Sequence, residues 1–270
     1  MDRAIGVIDS GVGGLTVAHE LMRQLPNEKI IYIGDTQRCP YGPRPAHEVK
    51  RFTMELVRFL MKKNIKMIVV ACNTATAFAL DDLKKELPIP VIGVIQPGAR
   101  AAIKSTKNNK IGIIGTEGTI ASQAYPEALK KINDHLEVTG LACPLFVPMV
   151  EKGKLKGDQA KKVVEETLMP LKKATEIDTL ILGCTHYPLL EDTIQAAMGD
   201  KIQIISSSEE TARETSAILE VNHLINTTNR QPNHHFFMTG DLKQFKAIYE
   251  SIFKKSLGKL KSAKLEKIAL

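Results

Sequence analysis

A chain of 270 residues with 43% hydrophobic and 25% charged content can bury one large core or two smaller ones, and this composition excludes a disordered or fibrous protein. The net charge of +7 is lopsided: six lysines against one glutamate between positions 254 and 270 leave only +2 for the rest of the chain. Nucleic acid is therefore an unfavoured partner for the body of the protein.

The first predicted strand, 5–9, ends in Asp9 and enters the turn Ser10-Gly11-Val12-Gly13-Gly14 ahead of a helix over 15–24. Ligands of open α/β sheets bind at the carboxyl ends of the strands, so Asp9 is expected to face a crevice. A second strand, 30–34, is followed by Asp35 at about the spacing of a dinucleotide-binding fingerprint. Thr16 stands where the third glycine of that fingerprint belongs, and no phosphate loop follows. Dinucleotide binding is thus a minor reading, and the amides at the helix start suit a carboxylate equally well.

A helix over 48–63 and a strand over 67–71 lead to Cys72-Asn73-Thr74, with a further helix over 76–85 and strands over 91–94 and 110–115. A helix over 159–172 precedes strand 180–183, which ends in Cys184-Thr185-His186. Helix 191–198, strand 202–205 and helices 209–223 and 242–253 complete the body, with Pro88, Pro90, Pro170 and Pro188 marking helix edges and turns. The lysine-rich tail lacks the aromatic and arginine interleaving of a base-stacking surface and is expected to be a solvated or frayed terminal helix.

Strands that are apolar throughout, alternating with helices, predict parallel sheets covered on both faces. Strand ends also repeat. Ile5-Gly6-Val7-Ile8-Asp9-Ser10-Gly11 resembles Ile111-Gly112-Ile113-Ile114-Gly115-Thr116-Glu117, and Ile68-Val69-Val70-Ala71-Cys72-Asn73-Thr74 resembles Leu180-Ile181-Leu182-Gly183-Cys184-Thr185-His186. The predicted fold is α/β with two pseudo-symmetric domains, each a mostly parallel sheet flanked by helices, and the active site between them.

No apolar run approaches the roughly 20 residues of a membrane span and no signal-peptide core follows Met1, which predicts a cytoplasmic protein with no membrane partner. The four cysteines are widely spaced, without a C-x-x-C pair, and are expected as reduced thiols. Cys39 and Cys143, each before a proline, read as packing residues, and His223, His234 and His235 as surface or core residues. A zinc set drawn from Cys184, His186 and the other cysteines lacks the usual paired spacing. Cys72 and Cys184 stand apart because hydroxyl, amide and imidazole groups accompany them. Inversion at a carbon centre needs a base on one face and an acid on the other, a role two opposed thiols can fill. Asp9 and His186 are the natural helpers, with Glu151 a third.

Five motifs in this order resemble glutamate racemases of the aspartate/glutamate racemase family: Asp9-Ser10-Gly11-Val12-Gly13-Gly14-Leu15-Thr16, Pro40-Tyr41-Gly42, Cys72-Asn73-Thr74, Gly115-Thr116-Glu117-Gly118-Thr119 and Gly183-Cys184-Thr185-His186-Tyr187-Pro188. The resemblance implies domains of 1–97 plus 207–270 and of 98–206, no cofactor and no metal, a homodimer, and D-glutamate supplied for peptidoglycan. It implies a glutamate site of Asp9, Ser10, Pro40, Tyr41, Gly42, Cys72, Asn73, Thr74, Thr116, Thr119, Cys184, Thr185 and His186. Cys72 would take the α-proton of D-glutamate and Cys184 that of L-glutamate, assisted by Asp9, His186 and Glu151. Ser206 departs from the aspartate usual in that family. Racemisation of another acidic amino acid such as aspartate is the nearest alternative, although aspartate racemases usually carry glutamate where this chain has His186. A non-catalytic regulatory or binding protein on the same scaffold is the alternative from another class.

Overall fold

Apolar strand residues leave no side free for water, and the computed structural model, which describes residues 3–174, 176–228, 230–253 and 263–270, covers both faces of two sheets with helices. In chain order the elements of the first stretch are Ala4–Asp9 (β1), Leu15–Gln24 (α1), Ile30–Gly34 (β2), Ala46–Met61 (α2), Ile65–Val70 (β3), Asn73–Glu86 (α3), Val91–Gly93 (β4) and Ile95–Ser105 (α4). The next stretch holds Lys110–Gly115 (β5), Glu117–Ala121 (α5), Ala124–Lys130 (α6), Glu137–Ala142 (β6), Phe146–Glu151 (α7), Asp158–Ala174 (α8), Thr179–Gly183 (β7), Glu191–Met198 (α9) and Gln203–Ser206 (β8). Ser207–Val221 (α10), His234–Met238 (β9), Leu242–Phe253 (α11) and Ala263–Lys267 (β10) complete the chain.

One sheet has the order β10-β9-β2-β1-β3-β4 and the other β6-β5-β7-β8, and every pairing is parallel. The run 2-1-3-4 recurs as 6-5-7-8, so β1 corresponds to β5 and β3 to β7, as the repeated strand ends predict. Each sheet has a buried apolar cluster on both faces. Leu15, Leu21, Phe236 and Phe245 lie on one side of the first sheet and Phe52, Leu56 and Leu60 on the other. Phe146, Val164 and Leu180 pack on one side of the second sheet and Ala99, Tyr125 and Leu129 on the other.

The predicted strands and helices are present, with shifted ends. Several elements escaped the apolar pattern. β6 is an edge strand with half-exposed, mixed side chains, and the two histidines that open β9 hide a buried strand. His234 is buried there and its Nδ1 accepts the Ile30 N–H at 3.2 Å. Pro170 lies inside α8 instead of ending it; the proline and Glu166, whose carbonyl loses a donor, are both exposed, so water can serve that carbonyl. The terminal helix expectation is corrected in part. Residues 254–262 lie outside the described residues, while 263–267 pair with β9 as an edge strand. Leu265 packs on the core and Lys264 pairs with Glu266 at 2.8 Å along the other face, a strand alternation that charge alone concealed.

A buried ion pair ties the returning chain to the first sheet. Lys66 of β3, fully buried, lies 2.6 Å from Glu28 Oε2 and donates to the Leu224 carbonyl at 2.6 Å. Glu28 also accepts the Asn226 N–H at 2.7 Å. Lys66→Met is expected to lower stability by about 3–5 kcal/mol, because it strands a buried carboxylate. Urea unfolding measures this, and Lys66→Met with Glu28→Gln should recover part of the loss.

Candidate active site

The strands that carry the two cysteines point their carboxyl ends at one another. Cys72 follows β3 and Cys184 follows β7, while Asp9 ends β1 and Thr116 follows its counterpart β5. Contact between the halves is close. A Cβ on Gly13 would come within 2.5 Å of Thr185 Oγ1 and 2.7 Å of the His186 backbone nitrogen, so only glycine lets this turn reach the opposite strand end. The Gly118 N–H donates to the Gly42 carbonyl at 2.8 Å across the same seam.

A narrow cavity of about 10 Å³ lies between them, walled by Ser10, Pro40, Tyr41, Gly42, Cys72, Asn73, Thr74, Thr116, Cys184, Thr185 and His186, together with Val147. Val147 gave no signal in the sequence, since it sits on a short apolar helix with no polar company. Thr119 is not on that wall. It is buried behind it, 3.2 Å from Thr74 Oγ1 and 3.0 Å from Thr116 Oγ1 in a cluster of three hydroxyls. Asp9 and Glu151 also stand behind the lining residues. Tyr41 gives its ring to the wall while its hydroxyl turns away to donate to Asp35 at 2.6 Å.

Helix α3 begins at Asn73, three residues earlier than the sequence predicts, and this gives Cys72 its setting. Cys72 is the N-cap residue: its Sγ accepts the Ala75 N–H at 3.4 Å, and its thiol donates to Ser10 Oγ at 3.4 Å. Burial pushes the Cys72 thiol up to about 12, with the Asp9 charge adding to the rise and the Ser10 and Ala75 hydrogen bonds opposing it. Asp9 is itself raised by burial, against the opposing pull of His186 and the N–H groups of Gly14 and Gly11. Its Oδ1 accepts the Thr185 hydroxyl at 3.2 Å and its Oδ2 the Gly11 N–H at 3.0 Å.

The second thiol has different company. Cys184 Sγ lies 3.7 Å from His186 Nδ1, and His186 Nε2 lies 2.7 Å from Glu151 Oε1, forming a Cys184–His186–Glu151 relay. Burial pulls His186 down, but its contacts with Cys184, Cys39 and Glu151 outweigh this and hold it well above its ordinary 6.5. Burial likewise raises Glu151, and the His186 contact outweighs it, leaving the carboxylate below its usual range. The Val12 N–H donates to the same carboxylate at 3.2 Å.

Cys39 packs on the core of the second sheet, as expected, and has a polar contact besides. It is half-buried at the site, with its Sγ 3.5 Å from Glu151 Oε1, and its neighbours lie 112 and 147 positions away, where spacing gives no hint. Cys143 is a buried core residue as expected. Ser206 N-caps α10 by accepting the Ser208 N–H at 3.4 Å, outside the cavity wall. Asp35 is engaged by Tyr41, by Arg38 Nε at 2.6 Å and by Thr239 Oγ1 at 2.9 Å, so it is not poised to hold a ribose.

Asn73 is the polar group most clearly set up for a ligand. Its Oδ1 accepts the Tyr125 hydroxyl at 2.8 Å, which fixes the amide and leaves the buried Nδ2 without a protein partner on the cavity wall. A buried donor in that state is served by an acceptor such as a carboxylate.

A sequence profile of the Asp/Glu/Hydantoin racemase family matches residues 5–215. The chain belongs to that family. It is 65% identical to a glutamate racemase of Oceanobacillus iheyensis over 95% of this chain and 93% of that protein. Among solved structures, a glutamate racemase isoform of Bacillus anthracis superposes with a TM-score of 0.91 at 50% identity, covering 99% of this chain and 98% of that one. A glutamate racemase of Francisella tularensis in complex with D-glutamate superposes with a TM-score of 0.89 at 35% identity over the same shares. The two-sheet α/β fold of this chain is the fold of those proteins.

The relay predicts a titration. In NMR spectra of the imidazole, His186 should titrate above 6.5, and Glu151→Gln should move the midpoint down, because removing the carboxylate charge withdraws stabilisation from the imidazolium. An unmoved midpoint in the variant would break the relay.

Proposed function

We propose that the protein interconverts L- and D-glutamate by proton transfer at the α-carbon, with Cys72 and Cys184 as the two acid/base groups and no cofactor. One observation carries the reading: two thiols from equivalent strand ends of opposed sheets share one cavity, each with its own proton partners. Cys72 removes the α-proton of D-glutamate and Cys184 protonates the opposite face; the reverse direction exchanges the roles. Asp9 assists Cys72, and His186 with Glu151 assists Cys184. Asn73 Nδ2 and the hydroxyls of Ser10, Thr74, Thr116 and Thr185 hold the carboxylates. Developing negative charge is stabilised by these donors, which are already oriented.

A cavity of about 10 Å³ holds about one water molecule, so glutamate enters when the halves part. The same reading divides the chain into 1–97 plus 207–270 and 98–206, supported by the membership of β1–β4, β9 and β10 in one sheet and β5–β8 in the other. It places the protein in the cytoplasm as a homodimer making D-glutamate for peptidoglycan. No helix among the described residues is long and apolar enough to cross a membrane. Glutamate is preferred over aspartate because His186 stands at the position that separates the two groups, and because the relatives described above are glutamate racemases.

In heavy water the product enantiomer should carry deuterium from the earliest times while recovered substrate stays almost unlabelled. Early label in both would mean a single base serving both faces. Cys72→Ser and Cys184→Ser should each lower racemisation by about 10²–10⁴-fold. In elimination of acid from N-hydroxyglutamate, Cys72→Ser should keep the reaction begun from L and Cys184→Ser that begun from D. His186→Asn should slow L-to-D turnover at saturation more than D-to-L, and turnover should survive extensive dialysis and hydroxylamine. Loss on dialysis with recovery on adding pyridoxal phosphate would overturn the cofactor-free reading.

A further inference from the structure

Three donor atoms of different elements meet beside the relay without belonging to the substrate wall as a group. Cys39 Sγ, Glu151 Oε1 and His186 Nε2 lie within 4.8 Å of one another. All three crowd the point where Gly11 lacks a side chain: a Cβ there would stand 2.5 Å from Glu151 Oε1, 2.9 Å from Cys39 Sγ and 3.2 Å from His186 Nε2. We infer that these residues form a binding site for one zinc ion, reached from outside the substrate cavity, and that zinc bound there arrests turnover.

The spacing suits the metal. Bonds of 2.0–2.3 Å in a tetrahedral zinc site put neighbouring ligand atoms roughly 3.3–3.8 Å apart. Cys39 Sγ and Glu151 Oε1 are already 3.5 Å apart. His186 Nε2 and Glu151 Oε1, at 2.7 Å, need to separate by about 0.6 Å to match the same geometry. Thiolate, imidazole and carboxylate together form a donor set that zinc accepts and that magnesium or calcium does not favour.

Outer contacts hold the ligands in place. The Val12 N–H donates to Glu151 Oε1, and Cys184 Sγ faces His186 Nδ1, which directs Nε2 toward the cluster. Access comes from a separate cavity of about 140 Å³ bordered by Thr36, Cys39, Glu151, Asp241 and Gln244. Neither Cys39 nor Glu151 borders the substrate cavity. The larger space can supply a water as the fourth ligand.

Binding forms Zn–S, Zn–O and Zn–N bonds and releases the Cys39 thiol proton and the proton shared by His186 and Glu151 to bulk water, with no change in oxidation state. The metal then occupies His186 Nε2 and Glu151 Oε1 together. The relay behind Cys184 can no longer pass a proton, although His186 is the one residue of the substrate wall that the metal engages.

The test uses the full chain freed of metal. Zinc chloride titrated against a chromophoric chelator should show one tight ion per chain, and cobalt(II) in its place should give four-coordinate visible bands with a single thiolate charge-transfer band. Cys39→Ala should weaken zinc binding at least 10-fold and abolish that band. Inhibition of wild-type turnover by zinc should persist at saturating glutamate. Should Cys39→Ala fail to fold, wild-type alkylation followed by peptide mapping decides, because zinc should shield the Cys39 peptide. Undiminished zinc affinity in Cys39→Ala, a thiolate band lost only in Cys184→Ala, relief of inhibition by glutamate, or unshielded Cys39 would each overturn the site. The binding and labelling readouts are independent of racemase activity.

Discussion

A carbon centre that must lose a proton from one face and regain it on the other needs acid/base groups on both sides of a small ligand, and one sheet offers its strand ends from one side only. The paired architecture answers that constraint. Two sheets with the same strand order turn their carboxyl ends toward each other, and corresponding strands, β3 and β7, each deliver a thiol. The approach this requires is close enough that Gly13 has no room for a side chain against Thr185 and His186.

Symmetry of the backbone does not extend to the electrostatics. Cys72 is buried at a helix start, donates to the Ser10 hydroxyl and has a raised carboxyl, Asp9, in its vicinity. Cys184 faces an imidazole that its contacts raise well above its ordinary value, backed by a carboxylate. Two chemically identical side chains thereby acquire different proton partners, which suits a reaction that needs one of them protonated while the other is not. The surroundings of the two thiols differ where the residue type is the same.

Much of this was legible in the sequence because the information is local. Apolar strands buried on both faces have a clear signature, and Asp9, Cys72, Cys184 and His186 sit next to strand ends that the same signature locates. Motif order then supplied Pro40, Tyr41 and Gly42, whose loop carries no periodic signal of its own. What stayed hidden depends on distant pairing. Cys39 looks like any cysteine before a proline until the fold brings Glu151 against it. The N-cap role of Cys72 was obscured because Asn73 and Thr74 read as loop residues, and β6 and β10 lack a continuous apolar run because edge strands need bury only part of their surface. Thr119 shows the converse: its motif is present, but the side chain supports Thr74 and Thr116 from behind.

The hydrogen bond from Tyr125 to Asn73 spans the seam, since Tyr125 belongs to α6 beside the second sheet and Asn73 opens α3 beside the first. It works as a gauge of separation. At the spacing of this structure the phenol holds the amide oxygen and presents the amide nitrogen to an acceptor. Recognition of an acceptor and approach of the halves therefore draw on the same contact and cannot be tuned independently. A ligand with no acceptor at that point leaves a buried donor stranded between the halves, at a cost that any replacement of the ligand's acceptor would carry.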